Sequence, residues 1–128
     1  MLDDLRILLL EDEPLIAMEL AEIISAAGGT VAASMRTAQE ALGFSDKTSI
    51  DVAILDIHLR TGTSFEVAEA LAELKIPFVF CTGGGQDQRH IAKWPDVPVI
   101  VKPYRAGVVV ETLSKLIRNR NQRHPGTA

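Results

Sequence analysis

The sequence predicts a doubly wound α/β domain, a five-stranded parallel sheet with helices on both faces. Two observations predict it. Short apolar runs alternate with amphipathic stretches along the chain, the order that implies right-handed strand–helix–strand crossovers. Four of the expected strands also end in polar or charged residues, and open parallel sheets bind ligands beyond their carboxyl ends. The 128 residues fit one domain of ordinary size. A composition 47% hydrophobic and 23% charged supplies a core and argues against a disordered chain.

Leu5 to Leu10 is almost continuously apolar up to Glu11, as suits a strand covered on both faces. Pro14 is placed to begin a helix, since its fixed φ and missing N–H are harmless in a first turn. Leu15, Met18, Ile23 and Ile24 mark one face of that helix, and Gly28-Gly29 ends it. Thr30 to Met35 reads as a second, weaker strand. Thr37 followed by Glu40 has the spacing of a capping box at the next helix. Asp51 to Asp56 is the third strand, apolar between two carboxylates. Ser64 is expected to cap a helix with Phe65, Val67, Ala68 and Leu71 inward. Ile76 to Thr82 is the fourth strand, stopped by Gly83-Gly84-Gly85, and Val97 to Val101 is the fifth, stopped by Lys102-Pro103. Between them lie Pro95 and Pro98, so a fourth helix is expected to be short or mobile, about Gln86 to Lys93. Val109, Leu113, Leu116 and Ile117 form the inner face of a last helix. The domain is expected over residues 1–118, with a polar, flexible tail over 119–128 and no output domain.

The composition also excludes. A net charge of -4 argues against a nucleic-acid binder, which needs a basic face. Cys81 is the one cysteine and cannot form an internal disulfide. The first residues lack the positive charge and long apolar stretch of a secretory signal, and no run approaches the roughly 20 apolar residues of a membrane span. The expectation is a cytoplasmic protein that binds neither nucleic acid nor membrane.

The strand ends bring chemistry together. Glu11 and Asp12 follow the first strand, Asp56 ends the third, Thr82 the fourth, and Lys102 follows the fifth. Three carboxylates in one pocket repel one another unless a cation relieves them. An oxygen-only ligand set favours Mg²⁺, which keeps several waters and leaves room for a phosphoryl oxygen. Phosphoryl transfer needs mainly positioning and charge neutralisation. Asp56 would be the nucleophile, with Lys102 and the Thr82 hydroxyl on other phosphoryl oxygens.

This ordered set resembles the response-regulator receiver domains of bacterial two-component signalling, over roughly Leu5 to Arg118. The resemblance rests on the acidic pair Glu11-Asp12, on Asp56, on Thr82, and on Lys102-Pro103 followed by the aromatic Tyr104. It implies a flavodoxin-like (CheY-like) strand order 2-1-3-4-5, with Asp56 as phosphoacceptor. Asp12, Asp56 and the backbone carbonyl of His58 would then ligate Mg²⁺ directly, and Glu11 partly through water. A sensor histidine kinase or a histidine phosphotransfer protein would donate the group, and an unknown downstream protein or a further relay step would receive the signal. Phe80-Cys81-Thr82-Gly83-Gly84 is similar to the Phe-Ala-Thr-Gly-Gly/Tyr single-domain subclass of alphaproteobacteria. Typical receivers carry an aromatic switch residue where this chain has Val99, and a small residue such as alanine where it has Gly83. Gly83, Gly84, Val99, Pro103 and Tyr104 are thus the expected switch and loop positions.

Blander readings stand beside these. Glu13 is expected to be a solvated first-turn residue, Cys81 a buried small hydrophobe, the His58 side chain a pocket-rim group, and Trp94 a core anchor, an exposed contact or both. The triple glycine fails as a dinucleotide fingerprint, because the third glycine would fall at Gln88. An Asp-nucleophile phosphatase would need a general acid that neither His58 nor Arg60 supplies. A phosphorylation-independent interaction module is the alternative function. The sequence leaves open whether the chain forms a homodimer through its last helix.

Overall fold

β1 (Arg6–Leu10) and β3 (Val52–Asp56) are the centre of the sheet because both are apolar on both sides. Leu8, Leu10, Ala53 and Leu55 turn to one face, while Ile7, Leu9, Val52 and Ile54 turn to the other, and each set seeds its own core. The computed structural model describes residues 1–83 and 92–123. Around the central pair lie β2 (Thr30–Met35), β6 (Phe78–Thr82) and β7 (Val99–Val101) in the order β2-β1-β3-β6-β7, with every pairing parallel. A hairpin of β4 (His58–Leu59) and β5 (Gly62–Thr63) stands apart, antiparallel, just after Asp56. With the hairpin set aside, this is the expected 2-1-3-4-5 arrangement. None of the described helices is long and apolar enough to cross a membrane.

The helices are α1 (Pro14–Ala26), α2 (Ala38–Leu42), α3 (Phe65–Glu73) and α4 (Ala106–Arg123). α1 starts at Pro14 as expected, with the exposed Glu13 at its N-cap. Its C-cap is Ala27, followed by Gly28, whose φ of 92° is a conformation open to glycine and where a Cβ would collide with the Asp3 carboxylate. Its buried face differs from the expected one. Leu15 and Met18 are 79% and 59% exposed, and Leu20 and Ile24 are buried with Ile16 and Ile23 beside them. Residues 16, 20, 23, 24 and 27 share one helical face, and Leu15 and Met18 fall off it.

The two expected caps diverge. At α2 the Thr37 hydroxyl accepts from the Glu40 N–H at 3.1 Å. At α3 Ser64 occupies the N-cap position with φ −93° and ψ 7°, makes no capping bond, and buries its hydroxyl without a partner. An N-cap residue normally needs extended backbone to swing its oxygen over the first turn, and Ser64 does not have it. On the inner face of α3, Val67, Ala68 and Leu71 are buried as expected and Phe65 is half-buried. On α4, Val109 and Leu113 are buried, and Leu116 and Ile117 pack against them. The tail expected from Asn119 is corrected in part, since α4 runs on to Arg123. The backbone of β7 begins at Val99 instead of Val97, and β6 at Phe78 instead of Ile76, each just beyond a proline. Most of the fourth helix expected over Gln86 to Lys93 lies outside the described residues, as do Gly84 and Gly85; Ala92 and Lys93 form a turn.

Candidate functional site

Four strand ends deliver the site. Glu11 and Asp12 leave β1, and the Glu11 N–H still donates to Met35 O at 3.0 Å, which holds the pair at the sheet edge. Asp56 is the last residue of β3 and stands in register with Cys81, one place before Thr82. Lys102 follows β7, and its N–H donates to Thr82 O at 2.8 Å, extending the ladder by one step. Glu11, Asp56 and Thr82 are all buried.

The charges meet at close range. Lys102 Nζ lies 3.2 Å from Asp56 Oδ2 and 3.3 Å from Glu11 Oε1. One carboxylate oxygen from each of Glu11, Asp12 and Asp56 lies within 4.8 Å of the others. Backbone N–H groups steady the acidic pair: Glu13 N donates to Glu11 Oε2 at 3.2 Å, and Arg60 N to Asp12 Oδ2 at 2.7 Å. The Tyr104 hydroxyl approaches Glu11 Oε1 at 3.5 Å.

Burial, and then the neighbouring Asp56 carboxylate, push Glu11 up to about 7, against the Glu13 N–H and Lys102. Burial also raises Asp56, although hydrogen bonding from Glu11 and the Lys102 charge pull it down. The hydrogen bond between the two acids raises Glu11 and lowers Asp56, which favours the proton on Glu11 over Asp56. For Lys102 burial works against the charge, but Asp56 and Glu11 outweigh it and hold the ammonium above its usual range. Burial pushes the Cys81 thiol up to about 12, so it is the inert buried residue expected. Tyr104 is held well above its ordinary value by burial first and by Cys81 next, and stays a donor.

Three carboxylates facing one ammonium leave an excess of negative charge that a small divalent cation would offset. Their oxygen-only donor set fits Mg²⁺. A separate cavity of about 640 Å³, lined by Lys75, Pro77, Asp96, Lys115 and Arg120 among others, contains none of these groups.

The remaining expected positions are less uniform. His58 opens β4 with its side chain exposed, as a rim residue should. Gly83 is an exposed bend, and none of the described residues comes near where a Cβ would stand. Val99 is half-buried directly opposite Phe80, and Pro103 is exposed after a cis Lys102-Pro103 bond. Tyr104 is not a surface loop residue; it is 9% exposed and packs into the core beneath Glu11. Sequence reasoning missed its hydroxyl, although a tyrosine among apolar residues signals a buried donor in search of a partner. It also missed the Arg60 N–H, for which no side-chain pattern could speak. Trp94 resolves as a core anchor: half-buried, its ring meets Phe78 and Phe80 edge-on at 5.5 and 6.3 Å.

A doubly wound sheet with an acidic trio and a lysine at its carboxyl edge defines a receiver-type signalling domain. The chain belongs to the response regulator receiver domain family of two-component signalling, matching it over residues 7–114. It is 31% identical over 117 residues to the phyllosphere-induced regulator PhyR of Methylorubrum extorquens, covering 88% of this chain and 43% of PhyR. It thus spans less than half the length of that relative. The solution structure of SdrG from Sphingomonas melonis is 42% identical, with a TM-score of 0.77, covering 88% of this chain and 96% of SdrG. The crystal structure of PhyR from Brucella abortus is 28% identical, with a TM-score of 0.79, covering 93% of this chain and 50% of that one.

Proposed function

We propose that Asp56 accepts a phosphoryl group from a phosphohistidine on a sensor histidine kinase or a histidine phosphotransfer protein, in a site that holds Mg²⁺. The observation that carries this reading is Lys102 Nζ bridging Asp56 and Glu11 at 3.2 and 3.3 Å, beside three carboxylate oxygens gathered within 4.8 Å. An Asp56 oxygen attacks phosphorus, the P–N bond to the donor histidine breaks, and the imidazole leaves with its electron pair. Lys102 pairs with one phosphoryl oxygen and the Thr82 hydroxyl donates to another, so charge is met by groups already in place. Glu11, Asp12, Asp56 and the His58 carbonyl would hold the metal, which when bound offsets the charge of the carboxylates and the incoming group. The protein acts in the cytoplasm as a receiver over residues 1–118 and signals by contacting another protein or passing the group on. It is a switch and turns over no substrate of its own beyond hydrolysis of its acyl phosphate.

Intact-mass measurement after incubation with acetyl phosphate and Mg²⁺ tests this. One phosphoryl adduct is expected on the wild type, none on Asp56→Asn, and none when the metal is chelated. An unmodified wild type, with acetyl phosphate and with a phosphorylated kinase alike, would sink the reading and leave the interaction module.

A further inference from the structure

Trp94 is the only tryptophan in the chain, and its surroundings tie it to the acidic site. Phe78, Phe80 and Thr82 alternate along β6 with Val79 and Cys81, and Phe78 and Phe80 belong to the opposite core from Val79 and Cys81. By that alternation Thr82 shares the face of the two rings. Trp94 meets both of them edge-on, Phe65 meets Phe80 at 5.5 Å, and Phe78 and Phe80 meet at 5.5 Å, so four rings form one block under Thr82. Across the ladder Phe80 pairs with Val99, which packs into the same core with Trp94. Trp94 reaches that same flank from the segment just before β7.

Among the described residues, the block is closed around Phe80 and borders a cavity beside Trp94. Phe80 is fully buried, while Trp94 borders a cavity of about 290 Å³ lined by Phe65, Glu69, Lys93 and Trp94. Edge-to-face rings have a preferred offset, so a displaced Phe80 carries its neighbour with it or loses the contact. A close-packed interior passes such a displacement on and does not absorb it. That cavity gives the indole somewhere to go.

We propose that Trp94 is a positioning residue for Thr82, acting through Phe80, and that its ring moves deeper into the Phe65–Glu69–Lys93 cavity when Asp56 is phosphorylated. This rests on the phosphoacceptor reading above. A phosphoryl group on Asp56 adds charge and acceptor oxygens beside Thr82. Thr82 and Phe80 are two residues apart on one strand, so a shift of the hydroxyl towards those oxygens reaches the ring block through the backbone. By linkage the effect is reciprocal at equilibrium, and the packing of Trp94 biases how stable the phosphorylated state of the site is.

The test reads tryptophan emission and intact mass on the same full-chain sample, before and after acetyl phosphate with Mg²⁺ present throughout. The expected result is an adduct accompanied by a shift of emission to shorter wavelength and weaker quenching by acrylamide, both absent in Asp56→Asn. Phe80→Leu, which removes the ring that joins Trp94 to β6, is expected to form the adduct while losing most of the emission response. An adduct on the wild type with unchanged emission, or with a shift to longer wavelength, overturns the inference and leaves the phosphoacceptor reading standing. Absence of the adduct overturns that reading and the inference with it. Should Phe80→Leu fail to fold, the affinity of Trp94→Phe for the phosphoryl mimic beryllofluoride with Mg²⁺, read by calorimetry against the wild type, decides the reciprocal arm. A change of at least about twofold in that affinity is expected, and an unchanged affinity counts against coupling.

Discussion

The carboxyl edge of the sheet and the aromatic flank beneath it are stabilised in opposite ways. At the edge, Glu11 and Asp56 are buried with one lysine between them, and burial raises both acids. That arrangement opposes folding in the absence of a cation. On the flank, Phe65, Phe78, Phe80 and Trp94 pack ring to ring with no charge at stake. Substitutions should therefore separate the two regions: at the edge phosphoryl acceptance is lost while stability holds or rises, and on the flank stability falls while the adduct still forms.

The largest effect is expected on the flank. Phe80 is fully buried between Phe65, Phe78 and Trp94. Phe80→Ala removes a ring and leaves a cavity, at a cost of about 3–5 kcal/mol. Urea unfolding should show a midpoint far below that of the wild type. A loss under about 1 kcal/mol would mean that the ring block is not a packed unit.

At the edge the expected sign is reversed and depends on pH. The ordinary value for Glu11 is 4.5, and in the folded protein it is about 7. Below the lower value both folded and unfolded chains hold the proton, and above the higher one neither does. Between them the folded chain keeps a proton that the unfolded chain has lost, so stability falls as pH rises from about 4.5 to about 7. The full loss is on the order of 3 kcal/mol, and Asp56, also raised, adds in the same direction. Mg²⁺ prefers the ionised carboxylates, so its stabilising effect should grow over the same interval. Urea midpoints at both ends of that interval, with and without Mg²⁺, check this. Asp56→Asn should flatten the metal-free pH dependence and raise stability at neutral pH by about 1–2 kcal/mol while abolishing the adduct. A metal-free wild type that grows more stable towards neutral pH would remove the basis of the comparison.

The same contrast explains what could be read from the residues. Glu11, Asp12, Asp56, Thr82 and Lys102 were legible because each ends a strand whose apolar run announces it, and a parallel sheet sends all such ends to one edge. The sheet order was not contained in those runs and came with the family resemblance. The ring block was not legible, because Phe78 and Phe80 look like any alternating strand, and Trp94 meets them only through tertiary packing. Leu15 and Met18 misled for a related reason. They are apolar on a helix, yet the face that touches the sheet is chosen by which residues reach it, and that face carries Leu20 and Ile24.

The smallest effect tests a single hydroxyl lying between the two regions. Ser64 N–H donates to Ile57 O at 3.2 Å, one residue past Asp56, and Phe65 of the ring block follows it. From sequence alone, Ser64→Ala should weaken α3 as Thr37→Ala should weaken α2, by about 1 kcal/mol each. The structure separates them. Thr37 makes its cap, at 3.1 Å from the Glu40 N–H, so its loss should cost that amount. Ser64 Oγ is buried with no partner, so alanine removes an unsatisfied polar group and leaves the capping geometry as it was. Ser64→Ala should therefore match or exceed the wild type in urea, by up to about 1 kcal/mol. If it instead loses as much as Thr37→Ala, the hydroxyl has a partner in solution, and the α3 start is held from the acidic edge as well as from the ring block.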